Sequence, residues 1–115
     1  MSVGKKKLPN WLIPHRGELL CTETTRLFYV YADYDVEETR AFLRDKLADS
    51  EGYFFFGTFF CGDIVCLNQK GALCVIDHDE LFVFESPLEI ETFWKLLQDR
   101  DEFLEERVLG EMDWA

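Results

Sequence analysis

The chain has 115 residues, 48% of them hydrophobic and 16% aromatic, which is enough to bury a core, too short for two ordinary domains, and too apolar for a disordered tail. Its net charge of −11 is uneven: residues 79–115 carry twelve Asp and Glu against three Lys and Arg, a net of −9, leaving −2 for residues 1–78. Such a field repels nucleic acid and anionic membranes and attracts basic protein surfaces, so neither of the first two is an expected partner.

Residues 1–25 are interrupted by Pro9, Pro14 and Gly17 and are expected to be irregular, with Lys5, Lys6 and Lys7 as the one basic run. This amino-terminal stretch has no apolar segment, and no 18 uncharged apolar residues run together anywhere in the chain. A secretory leader and a membrane span are therefore not expected, and the chain is assigned to the cytoplasm. The four cysteines then stay reduced, and none has the C-x-x-C spacing of redox or zinc motifs. "TETT", Thr22 to Thr25, reads as turn-like or extended.

"RLFYVYA", Arg26 to Ala32, is apolar on both sides and predicts a strand interior to a sheet. The period then changes. Asp35 with Glu38 fits a capping box, and Val36, Thr39, Leu43 and Leu47 follow helical spacing until Gly52, predicting a helix of three to four turns laid on the sheet. "YFFFGTFF", Tyr53 to Phe60, predicts another strand, with Gly57 as a bulge or close-approach point.

Asp63 to Asn68, Ala72 to Asp77 and "LFVFE" follow as short β-rich runs between tight turns, which makes four successive strands an antiparallel meander. "ESPLEIETFWKLLQD" starts a helix with Ser86 as cap, Pro87 at the first position and Glu89 at the third. Ile90, Phe93, Trp94 and Leu97 form its apolar stripe. Residues 99–115 read as an acidic extension or second short helix capped near Gly110. The fold class is α+β: a single domain, 1–115, with an antiparallel β-sheet meander covered by helices.

Cys61, Cys66, Cys74 and His78 could in principle ligate zinc, but strand geometry sets two conditions. Side chains five apart point to opposite faces, so Cys61 and Cys66 converge only through a bulge at Gly62. A three-residue loop, Gln69 to Gly71, places Cys66 opposite Cys74 but also Asp63 opposite Asp77; a register shifted by one places Cys66 opposite Leu73. The like-charge pair favours the shifted register, with the cysteines as buried structural thiols.

A cysteine nucleophile needs a base, and the two histidines offer none: His15 lies in the irregular segment, and His78 in a "DHD" turn. Asp77 and Asp79 are better read as holding backbone amides of that turn than as an acid–base pair. No phosphate loop, nucleophile elbow or calcium loop is present. No catalytic residue, cofactor or metal site is therefore assigned.

"FGTFFCGDIVCLNQKGALCVIDHDELFVFESPLEIETFWKLL", Phe56 to Leu97, resembles the second half of SUKH superfamily (Smi1-like) domains, a group that includes many bacterial immunity proteins. Gly62-Asp63, Asn68, Gly71, Asp77-His78-Asp79 and the "SPLEIETFWKLL" helix start occupy matching places. The resemblance implies a non-catalytic immunity protein of a polymorphic toxin system, whose partner is a cognate toxin with a basic, nucleic-acid-acting surface. Candidate partner contacts are Asp79, Glu80, Asp101, Glu102, Glu105 and Glu106. The alternatives are a small metal- or thiol-dependent enzyme and a regulatory protein-binding adaptor.

Overall fold

A computed structural model describes residues 8–48 and 50–111 of the chain. The Lys5–Lys7 run and residues 112–115 of the expected acidic carboxy-terminal segment lie outside the described residues.

Six strands form one sheet in sequence order: β1 (Leu19–Cys21), β2 (Arg26–Val30), β3 (Phe54–Phe59), β4 (Ile64–Leu67), β5 (Leu73–Ile76) and β6 (Val83–Glu85). Every neighbouring pair is antiparallel. The α+β meander inferred from the sequence is therefore present, with the strand expected at Arg26 to Ala32 joining it as β2, interior to the sheet, and β1 added at the edge. The expectation of an irregular 1–25 segment is corrected: β1 forms the sheet edge, and Leu12 and Leu20 are buried in the core. Thr22 to Thr25 closes the β1–β2 hairpin, with the Thr22 N–H donating to the Thr25 carbonyl at 2.8 Å. A three-residue strand flanked by Gly and Thr has too short a pattern to stand out from a loop.

The sheet buries both faces. Every residue of β4 and β5 is buried, and successive side chains serve opposite cores. Val65, Leu67, Leu73 and Val75 pack with Phe28, Phe56, Phe93, Leu97 and Leu104 under helices α2 (Ile90–Gln98) and α3 (Leu104–Val108). Ile64, Cys66, Cys74 and Ile76 join Tyr31, Leu43 and Phe55 on the other face, covered by Val36 and Leu47 from helix α1 (Asp33–Leu43) and the turns after it. In the first core the Phe28 ring meets Phe56, Phe59 and Phe93 with centroids 5.6 to 6.0 Å apart. Gly57 allows this. A Cβ there would lie 2.3 Å from Phe28 Cζ and 2.5 Å from the Tyr29 carbonyl oxygen, and the β3–β4 register shifts between Phe55 and Gly57, the bulge expected from the sequence.

Both helix starts fall three or so residues from where the sequence places them, for a shared reason. α1 begins at Asp33 with Ala32 at the cap position, so Asp35 is third in the helix. Its carboxylate accepts the Ala32 N–H at 2.8 Å and the Tyr29 hydroxyl at 2.6 Å. The strand tyrosine recruits the acid that local spacing assigns to the cap, and that hydrogen bond pushes the Tyr29 phenol up to about 12. α1 also ends at Leu43, well before Gly52. α2 begins at Ile90 with Glu89, not Ser86, at the cap. Ser86 is buried, and its hydroxyl donates to the Val108 carbonyl at 2.6 Å while accepting the Leu88 N–H at 3.1 Å. In each case a group outside the local cap motif, Tyr29 in the preceding strand or Val108 in α3, engages a side chain that fits a cap.

The β4–β5 hairpin has the three-residue loop, not the shifted one. Cys66 pairs with Cys74 and Leu67 with Leu73, the Asn68 N–H donates to Ala72 at 3.0 Å, and Gly71 takes φ +84°. Repulsion between Asp63 and Asp77, the argument for the shifted register, is relieved by groups outside the hairpin. His78 Nδ1 lies 2.7 Å from Asp63 Oδ1, and Asp77 Oδ2 accepts the Asp79 and Glu80 amides at 3.1 and 2.7 Å.

Candidate functional site

Strict alternation of strand direction puts the β1–β2, β3–β4 and β5–β6 turns at one end of the sheet, and the α2–α3 turn reaches the same end. Side chains join them. Thr24 Oγ1 donates to Glu102 Oε1 at 3.5 Å, and Cys61 Sγ donates to Glu105 Oε2 at 3.2 Å.

Three of the seven large apolar side chains that are exposed among the described residues belong to these turns: Phe60 at 60%, Phe82 at 64% and Phe103 at 42%. Arg26 stacks over the Phe60 ring at 5.0 Å. Burial against a covering partner would stabilise each of these rings by about 2 kcal/mol. Most other phenylalanines are core, as Phe28, Phe55, Phe56, Phe59 and Phe93 show. Sequence reasoning could not sort these two groups: it placed Phe60 and Phe82 within strands and Phe103 in the acidic carboxy-terminal extension.

All six acids singled out from the sequence lie on the turns and helix of this end. Asp79, Glu80, Glu102 and Glu106 are exposed. Of these, Glu102 accepts the Thr24 hydroxyl and Asp79 lies 3.5 Å from His78 Nε2, while the remaining two of the six, Asp101 and Glu105, are less exposed and more fully engaged. Asp101 pairs with Arg107 Nε at 2.9 Å and accepts the Phe103 N–H at 2.8 Å. Glu105 is partly buried, which raises its carboxyl above the usual range, and it receives the Cys61 thiol.

The zinc quartet weighed from the sequence does not assemble. Cys66 and Cys74 are buried in the α1-side core, whereas Cys61 is an exposed residue on the β3–β4 turn, which corrects its reading as core filler. Partial burial, reinforced by Glu105, pushes the Cys61 thiol up to about 12, so it is a proton donor and a poor nucleophile. The ring nitrogens of His15 and His78 meet carboxylates: His15 meets Glu18 at 3.0 Å, and His78 meets Asp63 at 2.7 Å and Asp79 at 3.5 Å. The Asp63 contact raises His78. Burial opposes charge on Asp63, but hydrogen bonds from the His78 ring and backbone hold its carboxyl below the usual range.

A separate cleft of about 680 Å³ lies between the amino-terminal segment and α1. Phe54, Phe55 and Phe56 are among its lining residues, and Arg16, its one cation among the described residues, is tied to Asp33 and the Tyr31 carbonyl. No cysteine or histidine lines it, so the thiols and imidazoles that the enzyme alternative relies on are elsewhere. No helix of the described residues is long and apolar enough to cross a membrane. Comparison with protein-family models, curated proteins and solved structures finds no match to this chain.

Proposed function

We propose that the chain is a non-catalytic, immunity-type binding module whose turn end covers a basic surface of a cognate toxin domain. The observation that carries this reading is the coincidence of three exposed phenylalanines with the exposed acids Asp79, Glu80, Glu102 and Glu106 at one end of a rigid sheet. Aromatic anchors supply the buried contact area of an interface, and a charged rim speeds and orients encounter with an oppositely charged partner. The resemblance of Phe56 to Leu97 to SUKH domains supports the same class, as does the net charge of −9 in residues 79–115. A toxin that acts on nucleic acid fits because its own substrate surface must be basic, and a cytoplasmic location fits a partner of that kind.

The test is recovery of the tagged protein from its native host, followed by an activity assay of whatever co-purifies in equal amount. The expected result is a basic toxin domain whose activity is titrated to zero by one equivalent of this protein. A stoichiometric partner with an acidic surface, or one whose activity is untouched, contradicts the proposal, and the second result favours the regulatory adaptor.

A further inference from the structure

Behind the exposed phenylalanines, the β3–β4 turn and α3 bring together a mixed donor set. Cys61 Sγ and one carboxylate oxygen each from Asp63 and Glu105 all lie within 4.8 Å of one another. The set combines a thiol with two carboxylates drawn from two elements 44 residues apart, and no Lys or Arg among the described residues forms an ion pair with any of the three. Around a tetrahedral zinc-sized ion, with metal–sulfur about 2.3 Å and metal–oxygen about 2.0 Å, thiolate and carboxylate ligand atoms stand about 3.5 Å apart. Cys61 Sγ and Glu105 Oε2 are already 3.2 Å apart, close to that separation.

We propose that Cys61, Asp63 and Glu105 bind a divalent transition metal of the zinc class, with water in the remaining position and His78 as the outer partner that orients Asp63. One soft sulfur with two oxygens selects zinc, cobalt or a similar borderline ion over magnesium or calcium, which want oxygen alone. On binding, the Cys61 S–H bond is replaced by a sulfur–metal bond and the proton leaves to solvent. The His78 Nδ1 contact to Asp63 Oδ1, 2.7 Å, and the His78 N–H on the same oxygen, 3.1 Å, fix the carboxylate as outer-sphere groups fix metal ligands. The bound ion would clamp α3 to the sheet beneath Phe60 and Phe103. The inference is independent of the partner proposed above.

Chelator-stripped, reduced full-length protein titrated with cobalt(II) tests it. The expected result is a thiolate-to-cobalt charge-transfer band that saturates at one equivalent and is erased by zinc. Cys61→Ser should abolish the band and weaken zinc binding at least a hundredfold. Glu105→Gln should weaken it at least tenfold, and His78→Ala about tenfold with the band retained. Cys21→Ser should change nothing. Metal-free melting temperatures equal to wild type show that each variant folds, and Cys61→Ala replaces Cys61→Ser if that variant does not. Absence of stoichiometric binding, a cobalt complex without the band, or full zinc affinity in Cys61→Ser overturns the proposal. The last result, combined with loss of binding in Asp77→Asn, would place the ion at Asp63, Asp77 and His78, whose donor atoms also lie within 4.8 Å of one another.

Discussion

The two ends of the sheet are built on different principles. At the β4–β5 end the turn satisfies itself: Asn68 Oδ1 accepts the Lys70 and Ala72 amides at 2.9 and 3.0 Å, and a Cβ on Gly71 would meet nothing within 4 Å. At the opposite end, contacts distant in sequence hold the turns together: Asp63 with His78, Cys61 with Glu105, and Thr24 with Glu102. That end also exposes Phe60, Phe82 and Phe103 and holds two non-glycine residues at positive φ, Leu81 at 58° and Arg100 at 55°, although Tyr34 is as exposed at the start of α1, beside the other end. Strained backbone and exposed apolar surface concentrate where a fold gives up stability for function. The contrast therefore supports placing the proposed docking surface at this end, without reference to any relative.

The largest effect comes from breaking the strand that serves both ends. Gly57→Ala drives a methyl into Phe28 and the Tyr29 carbonyl and should cost about 3 kcal/mol or more, seen as a lower urea midpoint and loss of protection at both ends together. Ser86→Ala should separate them. Removing the hydroxyl that holds the Val108 carbonyl leaves a buried acceptor unpaired and costs about 1–3 kcal/mol, and amide exchange should quicken in α3 while the β4–β5 turn keeps its protection.

How much of this was legible depended on sequence distance. The helical stripe of Ile90, Phe93, Trp94 and Leu97 and the Gly57 bulge are local patterns, and each appears where the sequence places it. Errors arose where a group on another element claimed a side chain assigned to a local pattern: Tyr29 on Asp35, Val108 on Ser86, and His78 on Asp63. The last of these reversed the register argument, because the Asp63 charge had a partner that hairpin geometry alone does not reveal. The six acids were legible as charge, but their convergence with Phe60, Phe82 and Phe103 required the topology.

Smaller changes sharpen the contrast at single residues. Gly71→Ala meets no atom, so its cost of about 1–2 kcal/mol in urea unfolding should come from the left-handed backbone alone. The ends of α2 and α3 supply an internal control. Both close with the same paired bonds: Arg100 to Leu97 and Asp101 to Leu96 in one, Gly110 to Arg107 and Glu111 to Glu106 in the other. Arg100 occupies the left-handed position that Gly110 fills without strain. Arg100→Gly should therefore stabilise by roughly 0.5 kcal/mol, whereas Gly110→Ala should destabilise by about 1–2 kcal/mol, its methyl also meeting Pro87 Cγ at 3.3 Å.

The central claim, that the turn end with its exposed aromatics and acids is the docking surface, is tested most directly by association kinetics with the recovered partner across ionic strength. Wild type is compared with a variant carrying Lys at 79, 80, 102 and 106. The account predicts that wild-type association slows steeply as salt rises, and that the variant associates at least tenfold more slowly at low salt with most of that salt dependence gone. Equal rates and equal salt slopes for the two proteins would contradict it.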